Sequence, residues 1–102
     1  MTAQLTVVLV DMTSRDDRGK LVTRSWTFDY PSDEDINDVL ESMKKGGLRF
    51  PGITDTWKHV SYSRDTGKVV LLMKNEDTKM TLDQIQLEVY CAFKTSADLY
   101  AS

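Results

Sequence analysis

The chain has 102 residues, 40% of them hydrophobic and 28% charged, with a formal net charge of −3 and one cysteine. These figures predict one globular domain and argue against a disordered segment, a disulfide-stapled scaffold and a membrane helix, which needs about 20 consecutive apolar residues. The pI near 5.0 argues against a binder of nucleic-acid backbones.

Residues 5–12 (LTVVLVDM) read as a strand. Leu5, Val7 and Leu9 share one face and Val8, Val10 and Met12 the other, so the strand is either covered on both sides or shows one apolar face to a partner. The polar run 14–20 closes a hairpin, with Gly19 supplying a positive φ. Residues 21–30 form the second strand, with Val22, Trp26, Phe28 and Tyr30 on one face and Arg24 interrupting it. Pro31 ends the ladder because it has no N–H to donate.

Ser32 or Asp33 caps a helix whose apolar stripe is Ile36, Val39, Leu40 and Met43. Asp33, Glu34, Asp35 and Asp38 suit its N-terminal dipole, and Lys44 and Lys45 its C-terminal end, with Gly46 stopping it. An irregular connection over 48–52 leads to a strand at 57–64, a turn at Asp65-Thr66-Gly67-Lys68 and a strand at 69–74. A further polar turn covers 75–79.

The last element, 81–94, fits two patterns. Ile85, Leu87, Val89, Cys91 and Phe93 alternate as in a strand, while Leu82, Ile85, Val89 and Phe93 fit a helix opened by a capping box from Thr81 to Gln84. The strand reading gathers all five large apolar residues on one face and is the expectation here. Residues after about 95 are expected as a flexible tail.

The expected architecture is therefore α+β, one domain over 1–102, in the order ββαβββ. This order resembles the β-grasp (ubiquitin-like) arrangement, which implies one helix packed on a mixed sheet. A terminal Gly-Gly is missing, since Gly46-Gly47 is internal, and no conjugation chemistry carries over. The rival is a ββαββα two-layer sandwich.

Several residues invite a chemical reading. Asp65-Thr66-Gly67 matches the signature of retroviral-type aspartic proteases, but its charged flanks read better as a hairpin turn. His59, the one histidine, stands in register with Ser61 and Ser63 without an orienting carboxylate. Cys91 reads as a small buried hydrophobe with no basic neighbour to activate it. The run Lys44–Phe50 matches no phosphate-binding fingerprint. No pair of residues has metal-ligand spacing, and neither metal nor cofactor is expected.

What remains is a surplus of strand hydrophobes and an acidic helix. The expected function is a small non-enzymatic protein-interaction module that binds a protein partner through a sheet face or edge and the helix. The residues assigned to that contact are Asp33, Glu34, Asp35, Asp38, Glu41, Val8, Val10, Met12, Trp26 and Trp57. The alternatives are a self-assembling structural or viral or phage accessory subunit, and a weak nucleic-acid binder using Lys44, Lys45, Arg49, Lys58 and Lys68. The lone thiol, and an N-terminus without a basic, long apolar leader, lead to the expectation of a cytoplasmic location, in the source cell or a host.

Overall fold

Alternation of apolar residues in the first thirty positions produces two long paired strands, β1 (Ala3–Arg15) and β2 (Leu21–Tyr30). They are followed by α1 (Asp33–Lys44), β3 (Trp57–Asp65), β4 (Lys68–Asn75) and α2 (Leu82–Ala101). The computed structural model describes residues 2–44, 57–65, 67–76 and 81–102, except for the side chains of 44 and 57–62. The predicted helix stop at Gly46, the connection 48–52 and most of the turn at 75–79 lie outside the described residues.

The β1–β2 turn is organised by Asp16. Its carboxylate accepts the backbone N–H groups of Arg18 and Lys20 at 2.9 and 3.0 Å, and Gly19 takes the positive φ, 77°, that closes the loop. Gly67 does the same in the β3–β4 turn, at φ 72°. After Pro31, the Ser32 hydroxyl accepts the Asp35 N–H at 3.3 Å, so Ser32 rather than Asp33 is the N-cap of α1.

The described strands form one sheet in the order β2-β1-β4-β3. The outer pairs are antiparallel hairpins, and the central pair, β1 with β4, is parallel. Parallel pairing needs a crossover, and here the crossover contains α1. The pleat divides the sheet cleanly. Leu5, Val7, Leu9, Phe28, Tyr30, Val69, Leu71 and Met73 are all buried on one face. Ile36, Val39 and Leu40 of α1 and Leu82, Ile85, Val89, Phe93 and Ala97 of α2 complete the same core. The fold is thus a two-layer α+β domain with both helices on one face of a mixed sheet.

The fifth strand does not form; the order is ββαββα. Positions 85, 89 and 93 satisfy both periods, being four apart, so they do not discriminate. The deciding residues are Leu87, 73% exposed, and Cys91, also exposed. A strand burying this segment would have had to bury both. The helix instead uses Leu82 and Ala97, and Gln84 Oε1 accepts the Thr81 N–H at 2.7 Å, so the predicted box does form. Residues beyond 95, expected as a tail, continue α2 to Ala101 and bury Ala97.

α2 crosses β2 through aromatic contacts. Phe28 stacks on Phe93 with ring centroids 5.8 Å apart and meets Tyr90 at 5.7 Å, while Tyr90 also presents its ring to Trp26 at 5.8 Å. Tyr30 packs on Tyr100 at 5.8 Å, and its hydroxyl reaches Ser96 Oγ at 3.3 Å. Edge-to-face and offset pairs of this kind stabilise beyond their buried area.

Candidate interaction surface

The second face of the sheet has no helix over it among the described residues. Its composition follows from register. Gln4 lies between Asp29 and Lys68, Thr6 between Thr27 and Val70, Val8 between Ser25 and Leu72, and Val10 between Thr23 and Lys74. β3 adds Asp65 beside Lys68, Ser63 beside Val70 and Ser61 beside Leu72. The centre is therefore apolar, formed by Val8, Val10, Val70 and Leu72 with Met12 beyond them. Met12 and Val70 are 39% and 37% exposed, and Val8, Val10 and Leu72 are half-buried.

Hydroxyls flank this centre. Thr6 and Thr27 share a hydrogen bond of 2.9 Å across β1 and β2, a side-chain pair that stiffens the surface locally. One end of the face carries Asp29, Lys68 and Asp65, and the other carries Lys74.

The acidic residues lie elsewhere. Glu34, Asp38 and Glu41 share the exposed side of α1 by their i, i+4, i+7 spacing, opposite Ile36 and Leu40. Because α1 covers the other face of the sheet, these carboxylates point away from Val8 and Val10. Asp35 and Asp33 are half-buried, Asp33 Oδ1 lacking a hydrogen-bond partner among the described residues, and a groove runs between α1 and α2. Tyr100 lines the same groove, about 220 Å³ in volume, with Val39, Ser42 and Leu99. Its phenol is pushed above its ordinary value, first by burial and then by the carboxylates of Asp38 and Asp35.

The ten residues assigned to one contact thus divide in three. Val8, Val10 and Met12 lie on the open face, the acidic five on α1, and Trp26 on the helix-covered face of β2 against Tyr90. The side chain of Trp57 is outside the described residues. A partner on the open sheet face cannot also lie flat on the exposed side of α1.

Trp26 belongs instead to a cleft of about 460 Å³ beside β2, the outer strand of the described sheet, lined also by Phe28, Tyr90, Lys94 and Asp98. Lys94 and Asp98 close one wall with an ion pair of 2.8 Å, one turn apart on α2. The strand reading of 81–94 hid this cleft, because Tyr90 and Lys94 fall on its rim only in a helix.

A buried carboxylate also escaped the sequence reading. Asp11, 1% exposed, is in phase with the core face of β1. Its Oδ2 accepts the Leu82 N–H at 3.0 Å and its Oδ1 the Thr13 N–H at 2.9 Å. The hydroxyl of Thr13 donates to the same Oδ1, and the Asn75 side chain is a further partner. Burial opposes its ionisation, but these donors outweigh burial and hold the carboxyl below its ordinary value. The available signal was a lone Asp continuing the stripe Leu5, Val7, Leu9.

Asp65 is exposed at the end of β3, and no backbone strain accompanies it. His59 stands opposite Met73 in register, with a register shift before Ser61 that breaks the predicted alignment of the two residues on one face. Among the described residues, no group of three His, Cys, Asp or Glu is arranged to hold a metal ion. Among the same residues, no helix is long and apolar enough to cross a membrane.

In comparisons with known proteins, no family model, no curated protein and no solved structure matches this chain.

Proposed function

We propose that the chain is a non-enzymatic protein-interaction module that works in the cytoplasm and binds through the open face of its sheet. The observation that carries this reading is the apolar centre at Val8, Val10, Met12, Val70 and Leu72, over which no helix lies among the described residues, framed by threonine and serine residues. Among the described residues no helix covers this area, and apolar surface left in water is unfavourable unless a partner removes it. The acidic side of α1 acts as a second, electrostatic surface, attracting basic partners and raising the association rate at low salt.

We also read the architecture as a β-grasp variant. Hairpin, crossover helix and hairpin, with a parallel central pair and the order β2-β1-β4-β3, support it. In this reading α2 replaces the closing strand.

The test compares wild type, Val8→Lys and Glu34→Lys/Asp38→Lys as bait in lysate of the source cell. The reading expects proteins retained by wild type to be lost with Val8→Lys. The α1 pair should bind more slowly, with less dependence on salt. Equal retention by wild type and Val8→Lys would remove the sheet face from the function.

A further inference from the structure

Separately from the open face, we infer that the outer edge of β2 and the cleft beside it take an extended peptide of a partner protein as an added strand. Every second side chain of that peptide is large and apolar and sits in the cleft. The direction of the β2 backbone, a stretch of undefended edge and the character of the cleft point to this occupant.

The register fixes which way the backbone of β2 points. The Gln4 N–H donates to the Gly67 carbonyl at 2.8 Å, so the even-numbered residues of β1 address β4 and the odd-numbered ones address β2. Leu5, Val7 and Leu9 therefore bond to Phe28, Trp26 and Arg24, and the N–H and C=O groups of Thr23, Ser25, Thr27 and Asp29 point away from the sheet. Among the described residues no strand pairs with them. Main-chain donors and acceptors spaced in this way are the complement of another extended main chain.

Edge strands are ordinarily blunted by charge, proline or a bulge. β2 has one such device, and it covers only the hairpin end: Arg24 Nη1 donates to the Thr23 carbonyl at 3.0 Å. From Val22 to Tyr30 the strand has no proline and keeps an unbroken register with β1. Ser25, Thr27 and Asp29 are exposed, and the cleft lies against this same stretch, between Trp26 and Phe28 of β2 and Tyr90 and Ala97 of α2.

An added strand sets alternate side chains on the side of Trp26 and Phe28, in the space between the edge and α2. That space is about 460 Å³, within the roughly 300–1,000 Å³ of sites that bury a ligand. Its charges cancel, because Lys94 and Asp98 pair with each other at 2.8 Å. Tyr90 already meets Trp26 and Phe28 at 5.8 and 5.7 Å, so an uncharged aromatic or branched aliphatic side chain suits the cleft. On the opposite side the peptide continues the hydroxyl row of Thr6 and Thr27, which suits threonine or serine.

The probe is a peptide of the sequence Lys-Thr-Val-Thr-Phe-Thr-Val-Thr-Lys, blocked at both ends and titrated to about 1 mM into the whole nitrogen-15-labelled chain. The expected result is saturable shifts centred on the amides of Ser25, Thr27 and Asp29 and on the Trp26 indole. Two further peptides carry backbone N-methyl groups, one on the two central threonines and the other on the two valines. In an antiparallel added strand the threonines turn their N–H groups to β2, and in a parallel one the apolar residues do. One methylated peptide is therefore expected to bind at least about tenfold more weakly and the other within about twofold of the parent. Thr27→Pro, which removes a donor that points outward, should also weaken binding about tenfold, with circular dichroism matching wild type. Leu87→Lys, on the outer side of α2, should leave it unchanged. The absence of shifts at the highest concentration overturns the inference, as do shifts centred on Val70 and Leu72 or an equal effect of the two methylated peptides. If Thr27→Pro does not fold, the methylated peptides decide on the wild-type chain.

Discussion

The carboxylate of Asp11, on β1, accepts the first backbone N–H of α2, that of Leu82, at 3.0 Å across 71 residues of chain. Helix α2 therefore has a tertiary N-terminal anion in addition to its local box, and the positive end of its dipole rests on the sheet. Asn75, directly opposite Asp11 in the parallel ladder, completes the junction of β1, β4 and α2.

Replacing Asp11 with Ala leaves the Leu82 and Thr13 N–H groups unpaired in a buried place. The expected loss is about 2–4 kcal/mol of unfolding free energy in urea denaturation. Asp11→Asn keeps one acceptor and should lose less. If Asp11→Ala unfolds at the same urea concentration as wild type, the anchor has no energetic role.

The same carboxylate makes stability depend on acid. Its folded pKa lies below the ordinary value of 3.8, so its contribution is fully present above that value and is lost as pH falls through the folded pKa. Stability measured downward from neutral pH should decline in this acid range, and in Asp11→Asn the decline should be shallower. Equal slopes in the two proteins would assign the acid sensitivity to other carboxylates.

Tyr30 gives the opposite sign. Burial first, and then the nearby Tyr100, raise its phenol above the ordinary 10.0, against the Ser96 hydrogen bond, which lowers it. Its contribution is present below the unfolded value and is lost as pH rises through the folded one. Phenolate absorbance should show two tyrosines, Tyr30 and Tyr100, titrating above the ordinary value, and Tyr30→Phe should remove one of these late steps while leaving that of Tyr100. A single unshifted transition would count against it.

Two substitutions on α2 separate the helix from the strand it resembles in sequence. Leu87→Gln, at an exposed position, should change stability by no more than about 0.5 kcal/mol. Ile85→Ala, two residues away and fully buried, should cost about 2–5 kcal/mol. Comparable losses at both positions would return the segment to a strand.

Most of the framework was legible because local signals agreed. In β1, β2, α1 and the β3–β4 hairpin, periodicity, caps and turn glycines point the same way, and Gly19 and Ser32 do what their chemistry suggests. At 81–94 the signals conflict. Ile85, Val89 and Phe93 serve either period, and only the exposure of Leu87 and Cys91, a tertiary property, separates the two. Asp11 was illegible for a related reason: apart from Thr13 two residues on, its partners Asn75 and Leu82 lie far along the chain, and nothing beside it announces them. The open face was half legible, since the alternation of β1 shows two apolar sides but not which one the helices take. The split between that face and the acidic helix needed the fold.

Gly67→Ala tests the one turn that joins the crossover hairpin. At φ 72°, with nothing within 4 Å of an added Cβ, the cost is conformational alone, about 1 kcal/mol by thermal unfolding. A loss several times larger would require a steric clash that the structure does not contain.

The central parallel pair carries a consequence for synthesis on the ribosome. β1 emerges well before β4, yet its inner edge is paired with β4, starting at Lys68. Until then the β1–β2 hairpin displays an open edge and two apolar sides at once, the combination most prone to pairing with other chains. The clasp of Asp11 on Leu82 closes later still. A nascent chain halted before β4 should therefore be a substrate for chaperones, whereas one released after α2 should not, and the interval between the two is the period in which this protein is most exposed to misassembly.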